Sequence, residues 1–217
     1  MPEKLQTLKY TFTVEGDTEQ WYLLWLRSQI NACSGRKYNI AIDPKIQKSP
    51  AKFYKSTTVK ATPEVTHLCD VESNEPIHVA RFQTVLSEMK AARTDKHIVY
   101  NLGYSNFTFE LWMVLHKRDC NGPLSHRSQY LAPINQAFSE NFEDLAHYKE
   151  HDNFHRCLSK LTLENVKAAV RRAEAITQNN KLDGKKQIQY MGFKYYRDNP
   201  ALSIHEAVKR MLAECGV

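Results

Sequence analysis

Across the first half of this chain, short runs of β-branched and aromatic residues take turns with segments of helical period, and that alternation leaves few folds open. Residues 9–14 (KYTFTV) read as a first strand, and Trp21, Tyr22, Leu24, Trp25 and Ile30 then recur at helical spacing over about 18–32. Thr18 or Asp17 is the expected cap of that helix, with Gly16 permitting the sharp turn into it. Residues 38–42 (YNIAI) read as a second strand, 44–50 as loop, and Ser49-Pro50 as a cap and first-turn proline opening a short helix. A third strand covers 65–69 and ends at Asp70-Val71-Glu72, a helix runs from 77 to about 89, and a fourth strand covers 97–101. Ser105-Asn106 then precede a strongly apolar helix over 107–116. Strands alternating with helices predict an α/β fold, a mostly parallel sheet flanked by helices. From about 128 onward strand signals fade, and 163–176 and 203–215 are amphipathic helices. The expected organisation is an α/β core over 1–125 with a helical region, 126–217, packed beside it.

Composition narrows the class further. The 217 residues are 42% hydrophobic and 25% charged, which excludes disorder as the main state. No apolar run reaches the roughly 18 residues that span a bilayer, so no membrane association is expected. MPEKLQTLKY has no apolar leader segment, so the expected location is cytoplasmic. Five scattered cysteines without C-x-x-C argue against a zinc site and a disulfide framework. With only 7 glycines, neither a P-loop nor a G-x-G-x-x-G motif is present. The net charge of +6 (30 basic less 24 acidic residues) favours a polyanionic partner such as nucleic acid.

The acids carry the chemistry. Glu15 sits at the C-terminal end of the first strand, and Asp70 and Glu72 at that of the third. In a parallel sheet those ends share one edge, where ligands bind in open α/β folds. Three carboxylates gathered there would repel unless a cation neutralised them, and hard oxygen donors suit Mg2+ or Mn2+. A divalent cation on carboxylates in a basic protein fits phosphoryl chemistry. Against this, acids commonly follow strands as helix caps.

These residues also carry a resemblance. Val14-Glu15-Gly16-Asp17-Thr18-Glu19 resembles the opening motif of Toprim domains, and Asp70-Val71-Glu72 resembles their D-x-D motif. Residues 105–116 (SNFTFELWMVLH) resemble the S-N-P-x-F-E-L-W-x-x-x-H signature of the RloB-like family, a compact Toprim-type group linked to phage resistance. Tyr148-Lys149 and Asn199-Pro200 with the following helix resemble it too. Phe107 stands where the signature has proline, and Glu72 where the motif has its second aspartate. The resemblance implies a Toprim-like fold, metal-dependent cleavage or transfer at phosphodiesters, and a partner ATPase of the AAA or ABC type. Glu15 is then general base or metal-organising acid, and Asp70 with Glu72 holds the metal.

Other candidates keep two readings each. Glu110, among Phe109, Leu111 and Trp112, is either ion-paired to the sheet edge or a further metal- or water-orienting carboxylate. His116 either complements a helix C-terminus or holds a phosphate. Ser105 and Asn106 read as N-caps, and amides at that helix start could also hold a phosphate. Lys45, Lys48, Lys52, Lys55 and Lys60 form a solvated face or a phosphate-backbone track, with Lys48, Lys52 and Lys55 at its centre. Lys185, Lys186, Tyr190, Lys194, Tyr195, Tyr196 and Arg197 either stack unpaired bases or pack the last helix. His147, His151 and His155 recur every four residues as a stripe on one helix face. The leading expectation is a Mg2+- or Mn2+-dependent nuclease acting on RNA, such as tRNA, or on DNA in anti-phage defence. The alternative is a non-cleaving nucleic-acid-binding or regulatory subunit of an ATPase-containing complex. An oligomer is compatible with both.

Overall fold

The computed structural model describes residues 5–58, 63–122 and 124–217. Lys60 of the lysine stretch lies outside them. Four strands, β1 (Thr7–Val14), β2 (Asn39–Ile46), β3 (Glu64–Val71) and β4 (Val99–Asn106), form one sheet in the order β2-β1-β3-β4. All three pairings are parallel, as the alternation predicts. The crossovers are α1 (Asp17–Ala32), α2 (Pro50–Ser56) and α3 (Pro76–Lys96). The chain leaves β1 toward β2 on one side and returns to place β3 on the other. β1 and β3 therefore flank the topological switch point of the sheet.

After β4 come the short α4 (Glu110–Leu115), then α5 (Leu131–Phe138), α6 (Leu145–Lys149), α7 (His151–Ser159) and the long α8 (Leu163–Leu182). A hairpin of β5 (Gln187–Tyr190) and β6 (Phe193–Tyr196) precedes α9 (Ile204–Cys215). One apolar core joins Phe12, Val14, Leu23 and Trp112 of the first half to Phe154, Val166 and Met211 of the second. A second core, on the opposite face of the sheet, packs Val65, Val71 and Tyr104 against Phe82 and Leu86 of α3 and Tyr195 of the hairpin. Among the described residues no helix is long and apolar enough to cross a membrane.

Several boundaries differ from expectation, each for a local reason. β2 runs on through Pro44 to Ile46, where a loop was expected. β2 pairs only with β1, and an edge strand tolerates a residue with no amide hydrogen. β4 runs to Asn106, so Ser105 and Asn106 end a strand and do not cap a helix. Gly103 misleads the reading there. It keeps its place in the strand because a Cβ would sit 2.4 Å from Leu68 Cδ2. Phe107 then turns the chain with φ +64, and the helix begins only at Glu110. Proline cannot take that φ, and it would also lose the bond that the Phe107 amide donates to Val71 O at 2.7 Å. At α1 the cap is Gly16, with neither Asp17 nor Thr18 capping. Ser49 does cap α2, its Oγ accepting from Lys52 N at 3.2 Å.

The β5–β6 hairpin was missed altogether. Its two-residue turn, Met191-Gly192, has φ +52 and +91, the left-handed pair that suits hairpin twist. Residues 201–203 run beside β4. Ala201 O accepts from Asn106 N at 2.9 Å, Ser203 N donates to Tyr104 O at 2.8 Å, and Leu202 bridges Ser105 antiparallel.

Candidate carboxylate site

Glu15 follows the last residue of β1, and Asp70 is the penultimate residue of β3, on the two strands that flank the switch point. Glu15 Oε2 accepts a long hydrogen bond from Asp70 N at 3.4 Å. Burial pushes the Glu15 carboxyl up to about 7, and Glu19 and Glu72 add to the rise, while that amide and Lys48 work against it. Asp70 is raised well above the usual aspartate range, first by burial and then by Glu19, Glu15 and Glu110. Like charges held in a low-dielectric site disfavour one another's ionised forms.

Two acids stand behind this pair. Glu19, in the first turn of α1, is buried, and its Oε2 accepts from Thr18 Oγ1 at 2.9 Å. Its carboxyl is raised by burial and by Glu110. Gly16 leaves room for it, since a Cβ there would meet Glu19 Oε2 at 3.2 Å. Glu110, 0% exposed, opens α4. Its Oε2 accepts from Thr108 Oγ1, and Lys149 Nζ of α6 lies 3.1 Å from its Oε1. The α4 carboxylate is thus ion-paired to the C-terminal region, not to the sheet edge. Glu110, Asp70 and Glu19 all favour the charged form of Lys149.

Glu72 turns elsewhere. The strand ends at Val71, so the two-residue spacing from Asp70 no longer sets a common direction. Its carboxylate meets Arg81 at 3.0 Å and His78 at 3.3 Å, both on α3. It still lines one cleft of about 10 Å3 with Glu15 and Asp70, room for roughly a single water.

Among the described residues, no three His, Cys, Asp or Glu side chains converge as a ready-made metal sphere. The donor chemistry nevertheless fits a hard divalent cation, because carboxylates dominate the site and hold one another's protons on. Glu110 Oε1 is fully buried and has the Lys149 ammonium, 3.1 Å away, as its partner. Oxygen donors that repel one another are the kind a dication draws together.

The remaining candidates fall in three places. Ser105 (3% exposed) and Asn106 (1%) are buried at the end of β4, and Asn106 Nδ2 donates to Asp198 O at 3.0 Å. His116 is buried between Tyr22 Oη (3.1 Å) and Trp112 O (2.9 Å), and burial lowers it to about 4. At neutral pH it is therefore uncharged. Lys48, Lys52 and Lys55 are exposed, with Lys48 near enough to act on Glu15. Lys45 pairs with Asp43 at 2.9 Å. Phe53 and Tyr54, interleaved with these lysines, pack toward α3, and Tyr195 and Tyr196 are buried in the same core. Those aromatics are packing residues.

The histidine stripe is broken at Glu150, which separates α6 from α7. His147 lies on α6, and His151 and His155 stack at 4.1 Å on α7 beside Trp21. Glu19 and Lys149 were not singled out for the site. Glu19 was legible as the acid one turn beyond Glu15, and Lys149 belongs to the Tyr148-Lys149 pair of the resemblance, but nothing in the sequence ties it to Glu110, 39 positions earlier.

A family model described as RloB-like protein matches residues 10–211. No curated protein and no solved structure matches the chain.

Proposed function

The chain belongs to the RloB-like family, and from that premise we propose that it is a Mg2+- or Mn2+-dependent, Toprim-type nuclease that hydrolyses phosphodiesters as an effector of anti-phage defence. The observation that carries the reading is the meeting of Glu15 and Asp70 at the switch point, 3.4 Å from carboxylate to amide, with Glu19 and Glu110 behind them. Asp70 and Glu15 would hold the cation, with Glu72 beside them. When bound, that cation supplies Lewis-acid polarisation of a phosphate oxygen.

The chain's own residues do the rest. Where Glu15 does not itself hold the cation, its carboxyl, pushed up to about 7 by burial, can instead act as general base and take a proton from an attacking water. Lys149 offsets the charge of Glu110 and keeps that carboxylate in place. Lys48, Lys52 and Lys55 offer exposed ammonium groups to a phosphate backbone, and Lys48 is the one nearest the acids. RNA, such as tRNA, and DNA are both candidate substrates, and an ATPase of the AAA or ABC type is the candidate partner.

One observation favours a second reading, a non-cleaving nucleic-acid-binding or regulatory subunit of such an ATPase complex. Glu72 is already engaged by Arg81 and His78, which removes one acid from metal binding. A single experiment separates the two. The chain is incubated with tRNA, single-stranded RNA and duplex DNA, with Mg2+, Mn2+ or EDTA, alone and with a candidate ATPase of the AAA or ABC type. Metal-dependent products that vanish with Asp70→Asn support the nuclease. Binding without products under every condition supports the subunit.

A further inference from the structure

A second cavity, of about 830 Å3, lies far from the acids at the opposite end of the sheet. It opens where β1 and β3 part. The two strands pair only over Thr11–Thr13 and Val65–His67, so the N-terminal half of β1 has no partner on that side. The cavity is bounded by these strands, β4, α9, the end of α8 and the hairpin. Arg210 bridges part of it, pairing with Glu64 of β3 and Glu214 of α9, and Tyr10 donates to the same Glu214. Tyr10 lies five residues before Glu15 on an extended strand, which puts the cavity on the order of 16 Å from the acid site.

Its chemistry is uneven in an informative way. Glu64 and Glu214 share the one Arg210, and Glu206 is a third acid of the lining. Lys9, Lys181 and Lys194 also line the cavity, from three different elements, and are exposed. Among the described residues none of the three has an acidic partner within ion-pair distance, and the lining as a whole, four basic side chains against three acidic, carries a net charge of +1. Half-buried Tyr10 and Phe193 supply aromatic surface in the same cavity. The volume is that of a small-molecule site, for which about 300–1,000 Å3 is typical. Ammonium groups from separate elements suit a multiply charged anion, and aromatic side chains suit a flat ring.

We infer that this cavity is a binding site for a nucleoside phosphate, its ring against Phe193 and its phosphates on Lys9, Lys181 and Lys194. The site is separate from the carboxylate site and does not depend on cleavage there. A ligand so held would tie β1 to α8 and the hairpin, all of which line this cavity.

The test is a thermal melt and calorimetric titration of the full chain with ATP, ADP and AMP, and with adenosine and pyrophosphate as half-ligands. The expected result is saturable binding of at least one nucleotide, with a melting temperature about 5–10 °C higher at a hundredfold excess over Kd. Each half-ligand should bind at least tenfold more weakly. Lys181→Ala with Lys194→Ala should abolish the shift while far-UV circular dichroism stays unchanged. Asn101→Trp, which fills the cavity from an exposed position on β4, should do the same. Asp70→Asn should leave binding intact, so loss of the nuclease reading does not remove this one. No shift with any nucleotide at millimolar concentration overturns the assignment. So does a shift that survives both cavity variants, or one that only an oligonucleotide produces.

Discussion

Lys149 Nζ lies 3.1 Å from Oε1 of Glu110, so a cation from the C-terminal region neutralises a carboxylate sealed at 0% exposure in the N-terminal half. The lysine keeps about 40% of its own side chain in water, and the pair is buried on one side only. Removing the lysine strands the glutamate. Lys149→Met is expected to cost roughly 3 kcal/mol, the usual scale for leaving one buried charge unpaired. The double variant Lys149→Met, Glu110→Gln should recover most of that loss. Chemical denaturation of the three proteins measures it, and equal stabilities would show that the pair carries no such coupling.

Glu15 gives a pH dependence of definite sign. Its carboxyl titrates at about 7 in the fold and near 4.5 when the chain is unfolded. The native state therefore holds the extra proton between those values. Its contribution to stability is full below about pH 4.5 and is lost as pH rises through 7, by roughly 3 kcal/mol in all. Buried His67, His116 and His205, each lowered to about 4, slope the other way over pH 4–6.5 and mask this in the parent protein. Glu15→Gln isolates the acid. It should gain about 2.5 kcal/mol on the parent between pH 5 and pH 8, read from urea midpoints at both. Added Mg2+ or Mn2+ should narrow the gap at pH 8, if the site holds a cation.

Phe107 occupies a conformation closed to proline, with φ +64 and an amide bonded to Val71 O. Phe107→Pro should cost about 3 kcal/mol or more, through lost packing, a lost hydrogen bond and a forbidden backbone angle. Phe107→Tyr, which keeps backbone and ring, should cost far less. Melting temperatures of the pair decide this.

The hairpin turn offers the opposite case, a gain. Met191 is 45% exposed and holds φ +52 before Gly192, and asparagine tolerates that angle better than methionine does. Met191→Asn should stabilise the chain by about 0.5–1 kcal/mol with no change in contacts. A melting temperature raised by about 1–4 °C is the expected reading.

The parallel core was readable because each strand carries its own β-branched run and each crossover its own helical period. Ser49-Pro50 capped the short α2 as that pattern implies. What escaped was fixed by contacts distant in sequence. Gly103 looks like a breaker until Leu68 is laid across it, and without that neighbour β4 stops five residues short. Pro44 looks like a loop until β2 is known to be an edge. Gln187 to Tyr196 alternates over only four residues on each side of its turn, too little to outweigh its lysines and glutamines. At the site, Glu15 and Asp70 were legible from their place after apolar strands. Glu72 lies one residue beyond the end of the strand, so its spacing from Asp70 does not fix where its side chain turns. Lys149 stood in the resemblance, but its pairing with Glu110 is a long-range contact that no local pattern carries.

The two borders of the sheet are finished differently. At β2 the outer border is left open but carries Pro44 and the charged Asp43 and Lys45, a poor template for a further strand. At β4 the border is occupied by residues 201–203 of the same chain. The tail therefore acts as a stopper against self-association. A chain cut short before Ala201, by a proteolytic nick or a premature stop, would bare the ladder groups of Tyr104, Ser105 and Asn106 together with the apolar surface under α9. Strand addition from a second copy is the route to aggregates that such an uncapped border invites.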